Sequence, residues 1–193
     1  MWDFFHIFAL VKKNIMVVVH METLFDTVVL SRVYEGLDCT LFHTPSRRDR
    51  RAIRRAIMND DGPVVLLGHG TPRGLLADNF WEYVIDSTDV ELLRQRTVIG
   101  FWCYASEFAD RYDLHGFFTS MFVSNMNEAV EHQVDHLATE ENIAEEMELF
   151  CREINCFIKA GLPMNEWVEN LQGMCNRELP FVRYNYEALT YYE

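Results

Sequence analysis

The chain has 193 residues, of which 49% are hydrophobic, and its formal net charge at pH 7 is -13. This length and hydrophobic content suit one domain with a sizeable core, or one domain with a helical appendage. The acidic charge repels polyanions, which argues against general binding to nucleic acid or to an anionic membrane surface.

The five cysteines have no regular spacing and form no Cys-x-x-Cys pair. We therefore expect free thiols in a reducing compartment, with neither a disulfide framework nor a zinc knuckle. Residues 1–14 begin apolar and acidic and carry their lysines after the apolar run, the opposite polarity to a secretory signal. No apolar run approaches the roughly 20 residues that span a bilayer. These features predict a cytoplasmic protein with no membrane association, in which residues 1–14 form an N-terminal extension.

Strand-like and helix-like segments alternate along the chain. Strands are predicted at 15–19, 39–42, 64–67 and 97–102, a fifth at 121–125, and a possible last one in the tail 181–192. Helices are predicted at 26–34, 47–58, 88–95, 104–112 and 139–160 and after Pro163, and a small hairpin-like extension at 74–77 and 80–85. This alternation is typical of an α/β fold with a mainly parallel sheet, and we expect a three-layer α/β/α sandwich. Residues 15–135 would form its core, and residues 136–193 a helical C-terminal part packed on the same domain.

Local signals support several of these helices. Apolar residues of 139–160 follow the 3.6-residue period, and Gly161 follows as a C-cap. Ser87 is the predicted N-cap of the short helix 88–95. The helix 47–58 carries six arginines without interleaved aromatic residues, which favours a solvated face over a phosphate-binding patch.

The chemistry-bearing residues follow two apolar strands. Strand 64–67 ends in Gly68-His69-Gly70, where two glycines allow a sharp turn around one imidazole. Strand 97–102 ends in Cys103. In open α/β sheets the carboxyl ends of the strands carry ligands and catalytic groups. If these strands are neighbours, the imidazole and the thiol meet, and that pair is the minimal set for a thiolate nucleophile.

The order of these features resembles the caspase-like cysteine peptidases, which include caspases, gingipain- and clostripain-type enzymes and CHAT domains. The matching segments are LLGHGTPRGLL at 66–76 and TVIGFWCYAS at 97–106. The resemblance implies that Cys103 is the nucleophile and that His69 is the general base or proton shuttle. It also implies an oxyanion hole made by the backbone N–H groups of Gly70 and Cys103, a peptide or protein substrate, and no cofactor.

The sequence departs from the caspase pattern around the cysteine. Caspases have Gln-Ala-Cys-x-Gly, whereas bulky Trp102 and Tyr104 flank the thiol here and either shape the site or block it. The arginines that grip a substrate aspartate in caspases have no recognisable counterpart, so we predict no aspartate specificity. The alternative is a caspase-like interaction module with little activity, docking through 139–173. A hydrolase with another substrate is disfavoured, because there is no Gly-x-Ser-x-Gly elbow.

Further polar residues are candidates for minor roles. Ser124 and Asn125 lie at the carboxyl end of the fifth predicted strand, where substrate contacts are expected. Asp78 and Asp86 in the extension are candidates to recognise a basic side chain. His132 and His136 have the spacing of a metal pair on one helix face but no evident third ligand, so no metal site is expected. His20 and His43 end two other predicted strands, and we expect them to be loop histidines.

Overall fold

The computed structural model describes residues 15–22 and 27–193, and the predicted extension 1–14 lies outside them. The strands within these ranges are β1 Met16–His20, β2 Cys39–His43, β3 Val64–Leu67, β4 Gly70–Thr71, β5 Gly74–Leu76, β6 Tyr83–Asp86, β7 Val98–Phe101, β8 Gly116–Thr119 and β9 Leu189–Tyr192. In the described part of the chain, six of them form the main sheet in the order β2-β1-β3-β7-β8-β9. The pairs from β2 to β8 are parallel, and β9 pairs antiparallel with β8. The predicted α/β architecture with a mainly parallel sheet is therefore confirmed.

Helices cover both faces of this sheet. They are α1 Arg50–Asn59, α2 Val90–Leu93, α3 Ala105–Tyr112, α4 Met126–Glu131, α5 Glu140–Ala160, α6 Trp167–Met174 and α7 Pro180–Glu187. Short 3-10 helices add Val28–Tyr34, Arg47–Asp49, Ser87–Asp89 and Met164–Glu166. Within the described residues, no helix combines the length and the apolarity needed to cross a membrane.

The central strands divide their side chains between two cores. Val65 and Leu67 of β3 pack in a core that contains residues of α5, α6 and α7. Val64 and Leu66 pack in a second core, on the opposite face, with residues of α1, α2 and α3. This is the alternation that a strand buried on both faces must show, and the arrangement is compatible with a three-layer sandwich.

The long helix α5 has the predicted bounds to within one residue. Thr139 caps its N-terminus in a capping box with Asn142, and Gly161 ends it in the left-handed conformation. Its apolar stripe brings Met147 and Phe150 onto the sheet. Helix 26–34 was predicted as a crossover between the first two strands, and its described part is the 3-10 helix Val28–Tyr34.

The fifth strand lies earlier than predicted. It is β8, at Gly116–Thr119, and residues 121–125 are not a strand. The side chain of Asn185 bonds both backbone groups of Val123, accepting from its N–H at 2.7 Å and donating to its carbonyl at 2.9 Å. The backbone of this apolar segment is therefore satisfied by a distant amide rather than by a neighbouring strand.

The tail is only partly the predicted strand. Residues 180–187 form α7, which begins with Pro180 at its first turn and buries Phe181, Val182, Asn185 and Tyr186 with helical spacing. The strand at the end of the tail is β9, which extends the sheet beyond β8. The C-terminal part thus shares its sheet with the rest of the chain.

The hairpin-like extension is present and forms its own sheet. Strands β4, β5 and β6 pair antiparallel in that order. The helix after it is capped by Asp86 rather than Ser87, because the Asp86 side chain accepts from the N–H of Thr88 and Asp89 completes a capping box. Arg50 of α1 bonds Asp86 at 2.6 and 2.8 Å and Asp89 at 2.6 Å, and Arg54 also bonds Asp89. Two arginines of the basic helix therefore tie the extension to the domain.

The ion pair of Asp86 makes a prediction about stability in acid. Burial alone would raise the pKa of Asp86, but hydrogen bonds from Arg50 and Thr88 and the Arg50 charge outweigh it, so this pKa lies well below its ordinary value of 3.8. Because the folded-state pKa of Asp86 lies below the unfolded-state pKa, the stabilisation is fully present above the unfolded-state value of 3.8. It is lost progressively as the pH falls from that value toward the folded-state pKa. Asp86→Asn should therefore lower the free energy of unfolding at neutral pH, and the difference from wild type should shrink toward about pH 3.

Urea unfolding at stepped pH measures this difference. Asp78→Asn, an exposed carboxylate of the same extension, is the matched control and should leave the free energy of unfolding unchanged at every pH. A difference for Asp86→Asn that stays constant between neutral and acid pH would contradict the assignment.

Candidate functional site

The site is built on the pairing of β3 with β7. These strands are parallel neighbours with Leu67 opposite Phe101, and the N–H of Gly68 donates to the Phe101 carbonyl at 3.0 Å. His69 and Cys103 each follow this matched pair by two residues. Both are partly buried, and both line one cavity at the carboxyl edge of the sheet. The condition set by the sequence analysis, that the two strands be neighbours, is met.

Gly68 makes the turn that delivers His69. Its φ is 141°, a conformation that side chains disfavour, and a Cβ there would lie 2.6 Å from the Cβ of Met21. Met21 is held against this turn by its N–H, which donates to the Leu67 carbonyl at 2.8 Å. The chain can therefore turn toward His69 only with glycine at this position.

Trp102 fastens the His69 turn to the end of β7. A Cβ on Gly70 would overlap the indole ring, so the ring lies directly against the glycine backbone. The indole Nε1–H also donates to the Thr71 carbonyl at 3.2 Å. Trp102 is 2% exposed and packs on Phe108 of α3, in the core that contains residues of α1, α2 and α3. Trp102 also lines the cavity together with His69 and Cys103.

Cys103 lies in a tight turn between β7 and α3. The N–H of Ala105 donates to the Trp102 carbonyl at 3.1 Å, which closes a four-residue turn around Cys103 and Tyr104. Tyr104 has φ 69° and ψ 25°, so helix α3 begins one residue later than predicted. A left-handed tyrosine costs on the order of 1–3 kcal/mol, and such strain clusters at functional sites.

The cavity beside the two residues is mainly apolar and has a volume of about 50 Å³. Its large apolar lining residues come from the 3-10 helix, the end of β7 and the residue after it, α5 and the loop after β8: Leu30, Phe101, Trp102, Phe122, Met147 and Phe150. Ser124 and Glu128 supply its polar end. The Ser124 backbone N–H and hydroxyl both donate to one carboxylate oxygen of Glu128, at 2.7 and 2.9 Å.

Two aromatic residues that the sequence did not predict, Phe80 and Tyr184, flank the site. The Phe80 ring lies 5.4 Å from the His69 ring, and Phe80 is half exposed with φ 58°. Burial, together with the neighbouring charges of Tyr104 and Cys103, raises the pKa of Tyr184. No local sequence signal points to either residue, because tertiary packing brings the extension to His69 and α7 close to Cys103. Glu128 was also missed, although its position three residues after the N-cap Asn125 is a recognisable capping pattern.

The remaining predicted site residues lie in different places. Ser124 lines the cavity, and the Asn125 side chain caps α4 by accepting from the Glu128 N–H at 3.0 Å. Asp78 is exposed in the extension, away from the cavity lining, and Asp86 is engaged by Arg50. Gly70 lies between His69 and Thr71, at the start of β4.

The histidine pair considered for a metal does not share a helix face. Helix α4 ends at Glu131, His132 follows it as the C-cap, and His136 lies in the next loop. The His132 ring stacks on Tyr184 with 5.3 Å between ring centroids. The predicted i, i+4 geometry is therefore wrong.

In comparisons with family models, curated protein sequences and solved structures, nothing matches this chain.

The contact between Gly70 and Trp102 can be tested by adding one methyl group. Gly70→Ala should lower the free energy of unfolding by about 1–3 kcal/mol, the usual cost of overpacking, because the new Cβ would overlap the buried indole. Gly173→Ala is the matched control: its Cβ would meet no atom within 4 Å, and it should raise stability by about 0.5–1 kcal/mol. Chemical denaturation of both variants measures these changes. Equal stability of Gly70→Ala and wild type would mean that the indole is not packed on the glycine.

Proposed function

We propose that this protein is a caspase-like cysteine endopeptidase that hydrolyses peptide bonds with Cys103 and His69. One observation carries the proposal: β3 and β7 pair in register, and His69 and Cys103, each two residues beyond the pair Leu67 and Phe101, line the same cavity. A thiol and an imidazole at one sheet edge are the groups that nucleophilic acyl transfer requires.

The order of elements adds support. The chain runs from β3 through His69, an antiparallel extension and a short helix to β7, Cys103 and α3. This is the order on which the resemblance to caspase-like peptidases rests. The mainly parallel sheet with helices on both faces is compatible with it, and the strained turn at Tyr104 is of the kind found beside reactive groups.

The reaction would proceed through an acyl-enzyme. His69 accepts the Cys103 thiol proton, the sulfur attacks the substrate carbonyl carbon, a C–S bond forms, and the carbonyl oxygen becomes an oxyanion. Collapse of this intermediate breaks the C–N bond, and His69 gives a proton to the leaving amine. Water, losing a proton to His69, then attacks the thioester carbonyl. The C–S bond breaks, His69 returns the proton to the sulfur, and the carboxylic acid and the free thiol are released.

The backbone of Gly70 is suited to the oxyanion. Because the His69 carbonyl accepts from the Leu76 N–H at 2.9 Å, the alternation of the ladder directs the Gly70 N–H away from β5. It is therefore not used by the hairpin pairing. Together with the Cys103 N–H, it would supply the two donors of an oxyanion hole.

The cavity indicates what a substrate side chain next to the cut bond would be. Its apolar lining favours an apolar side chain, and the Glu128 carboxylate at its polar end repels an acidic one. This argues against aspartate at that position and agrees with the absence of recognisable aspartate-binding arginines.

Alkylation of thiols tests the nucleophile. Because Cys156 is exposed on α5, it is an internal reference in the same molecule. A thiol whose pKa is lowered from about 8.5 toward 7 gains roughly tenfold in thiolate at neutral pH, so Cys103 should react about tenfold faster than Cys156. Site-resolved mass spectrometry after iodoacetamide pulses measures both rates. His69→Ala should abolish the difference, and Cys156→Ala should leave the Cys103 rate unchanged.

Fluorogenic peptides test the reaction itself. Cys103→Ala and His69→Ala should each abolish cleavage of any peptide that wild type cleaves. A Cys103 that reacts no faster than Cys156, in a protein that cleaves no peptide, would remove the enzymatic proposal and favour the interaction module.

Substrate preference tests the role of Glu128. Peptides with leucine or methionine before the cut bond should be cleaved faster than otherwise identical peptides with aspartate. Glu128→Gln removes the repelling charge at nearly constant size, so it should raise cleavage of the aspartate peptide relative to the leucine peptide. Asp135→Asn, an exposed carboxylate outside the cavity lining, is the control and should leave the ratio unchanged. A wild-type preference for aspartate would contradict this view of the cavity.

A further inference from the structure

A second cluster of reactive side chains lies at the carboxyl ends of β1 and β2. These strands are parallel neighbours, and their last residues, His20 and His43, are opposite each other. Glu22 follows His20 by two residues. One donor atom from each of the three side chains lies within 4.8 Å of the others. Among the described residues, these three side chains form the group whose donor atoms are close enough together to hold a metal ion.

His20 is a buried core histidine, not the loop histidine expected from sequence. Its side chain is inaccessible to solvent, and its Nε2–H donates to the Thr27 carbonyl at 2.8 Å. Burial lowers the pKa of His20, against the raising effects of the Thr27 hydrogen bond and the Glu22 charge. Since a carbonyl only accepts, the proton is on Nε2, and the Nδ1 lone pair is left to accept from the Tyr34 hydroxyl at 2.9 Å.

The other two donors face solvent. The His43 ring nitrogen Nε2 lies 3.0 Å from a Glu22 carboxylate oxygen, and the two side chains are 48% and 30% exposed. The rings of His20 and His43 meet edge to face, with centroids 5.6 Å apart. The cluster therefore has one rigid, buried donor and two donors that an ion can reach from outside.

We propose that His20, Glu22 and His43 bind one divalent cation of the zinc class. Two imidazoles and one carboxylate are a known zinc donor set, with a fourth position left for water. The Nε2–H bond of His20 to a backbone carbonyl is the outer contact that orients metal-binding histidines and fixes their tautomer. Binding would replace two hydrogen bonds, that of the Tyr34 hydroxyl to Nδ1 and that between His43 and Glu22, by bonds to the metal.

The sequence alone did not predict this site. The only histidine pair with metal-like spacing was His132 and His136, which the structure separates from a common helix face. The two histidines used here are 23 positions apart across the β1–β2 crossover, so only the strand pairing brings them together. The site uses none of the groups proposed for peptide hydrolysis and stands independently of that proposal.

Titration of the purified chain with Zn²⁺ in a calorimeter tests the site. Wild type should bind one ion per chain, and Glu22→Gln and His43→Ala should each weaken binding by at least about tenfold, since loss of even an outer-shell partner costs 10–100-fold. Both changes are at partly exposed side chains, and their metal-free melting temperatures show whether the fold is kept. His136→Ala is the matched control, an exposed histidine elsewhere, and should bind as wild type does. Tyr34→Phe should keep binding, because the hydroxyl is not a ligand.

Co²⁺ identifies the ligands by its absorption. Binding at His20, Glu22 and His43 should give weak visible bands without the intense near-ultraviolet band of a thiolate ligand. A thiolate band, wild-type affinity in Glu22→Gln and His43→Ala, or no binding of Zn²⁺ would each overturn the proposal.

Discussion

The candidate site depends on the parallel pairing of β3 with β7 in one register. With Leu67 opposite Phe101, each strand is followed by one residue, Gly68 or Trp102, before the residue that carries the reactive side chain. A slip of one residue in either strand would exchange the faces of all its side chains, because the period of a strand is two. The register is held from both sides of the sheet, since Leu67 and Phe101 pack in one core and Leu66 and Trp102 in the other. Burial of apolar side chains therefore determines where the imidazole and the thiol lie.

The same constraint extends across the sheet. Four adjacent strands, β2, β1, β3 and β7, run parallel, and at or just beyond their carboxyl ends lie His43, His20, His69 and Cys103. Neighbouring strands are about 4.8 Å apart, so β1 and β7 are separated by roughly 10 Å. The proposed metal cluster and the proposed nucleophile are therefore neighbours on one rim, each assembled by its own pair of strands.

Much of this arrangement is readable from sequence, and what is not has identifiable causes. Val64–Leu67 and the glycines around His69 predict a buried strand with a turn, and both are local signals. Residues 121–125 look equally strand-like, yet the backbone N–H and carbonyl of Val123 form hydrogen bonds with the side chain of Asn185, 62 positions away. The hydrogen-bond partners of the buried His20 ring are Tyr34 and Thr27, which no local pattern links to it. The sequence thus predicts the elements and the residues that end them. The cavity, the contact of Trp102 with the His69 turn and the proposed metal cluster arise from contacts between elements.

Three successive residues of β7 and its turn have three separate tasks. Phe101 faces the core of α5, where its ring lies 5.3 Å from that of Phe150, and it lines the cavity. Trp102 must point to the other face, because side chains alternate along a strand, and there it meets α3 and the Gly70 backbone. Cys103 lies where the alternation gives way to the turn. Phe101 and Trp102 both line the cavity, but only Trp102 also packs on the Gly70 backbone and donates to the Thr71 carbonyl. A change at Phe101 therefore alters the cavity and leaves the contact between Trp102 and the His69 turn in place.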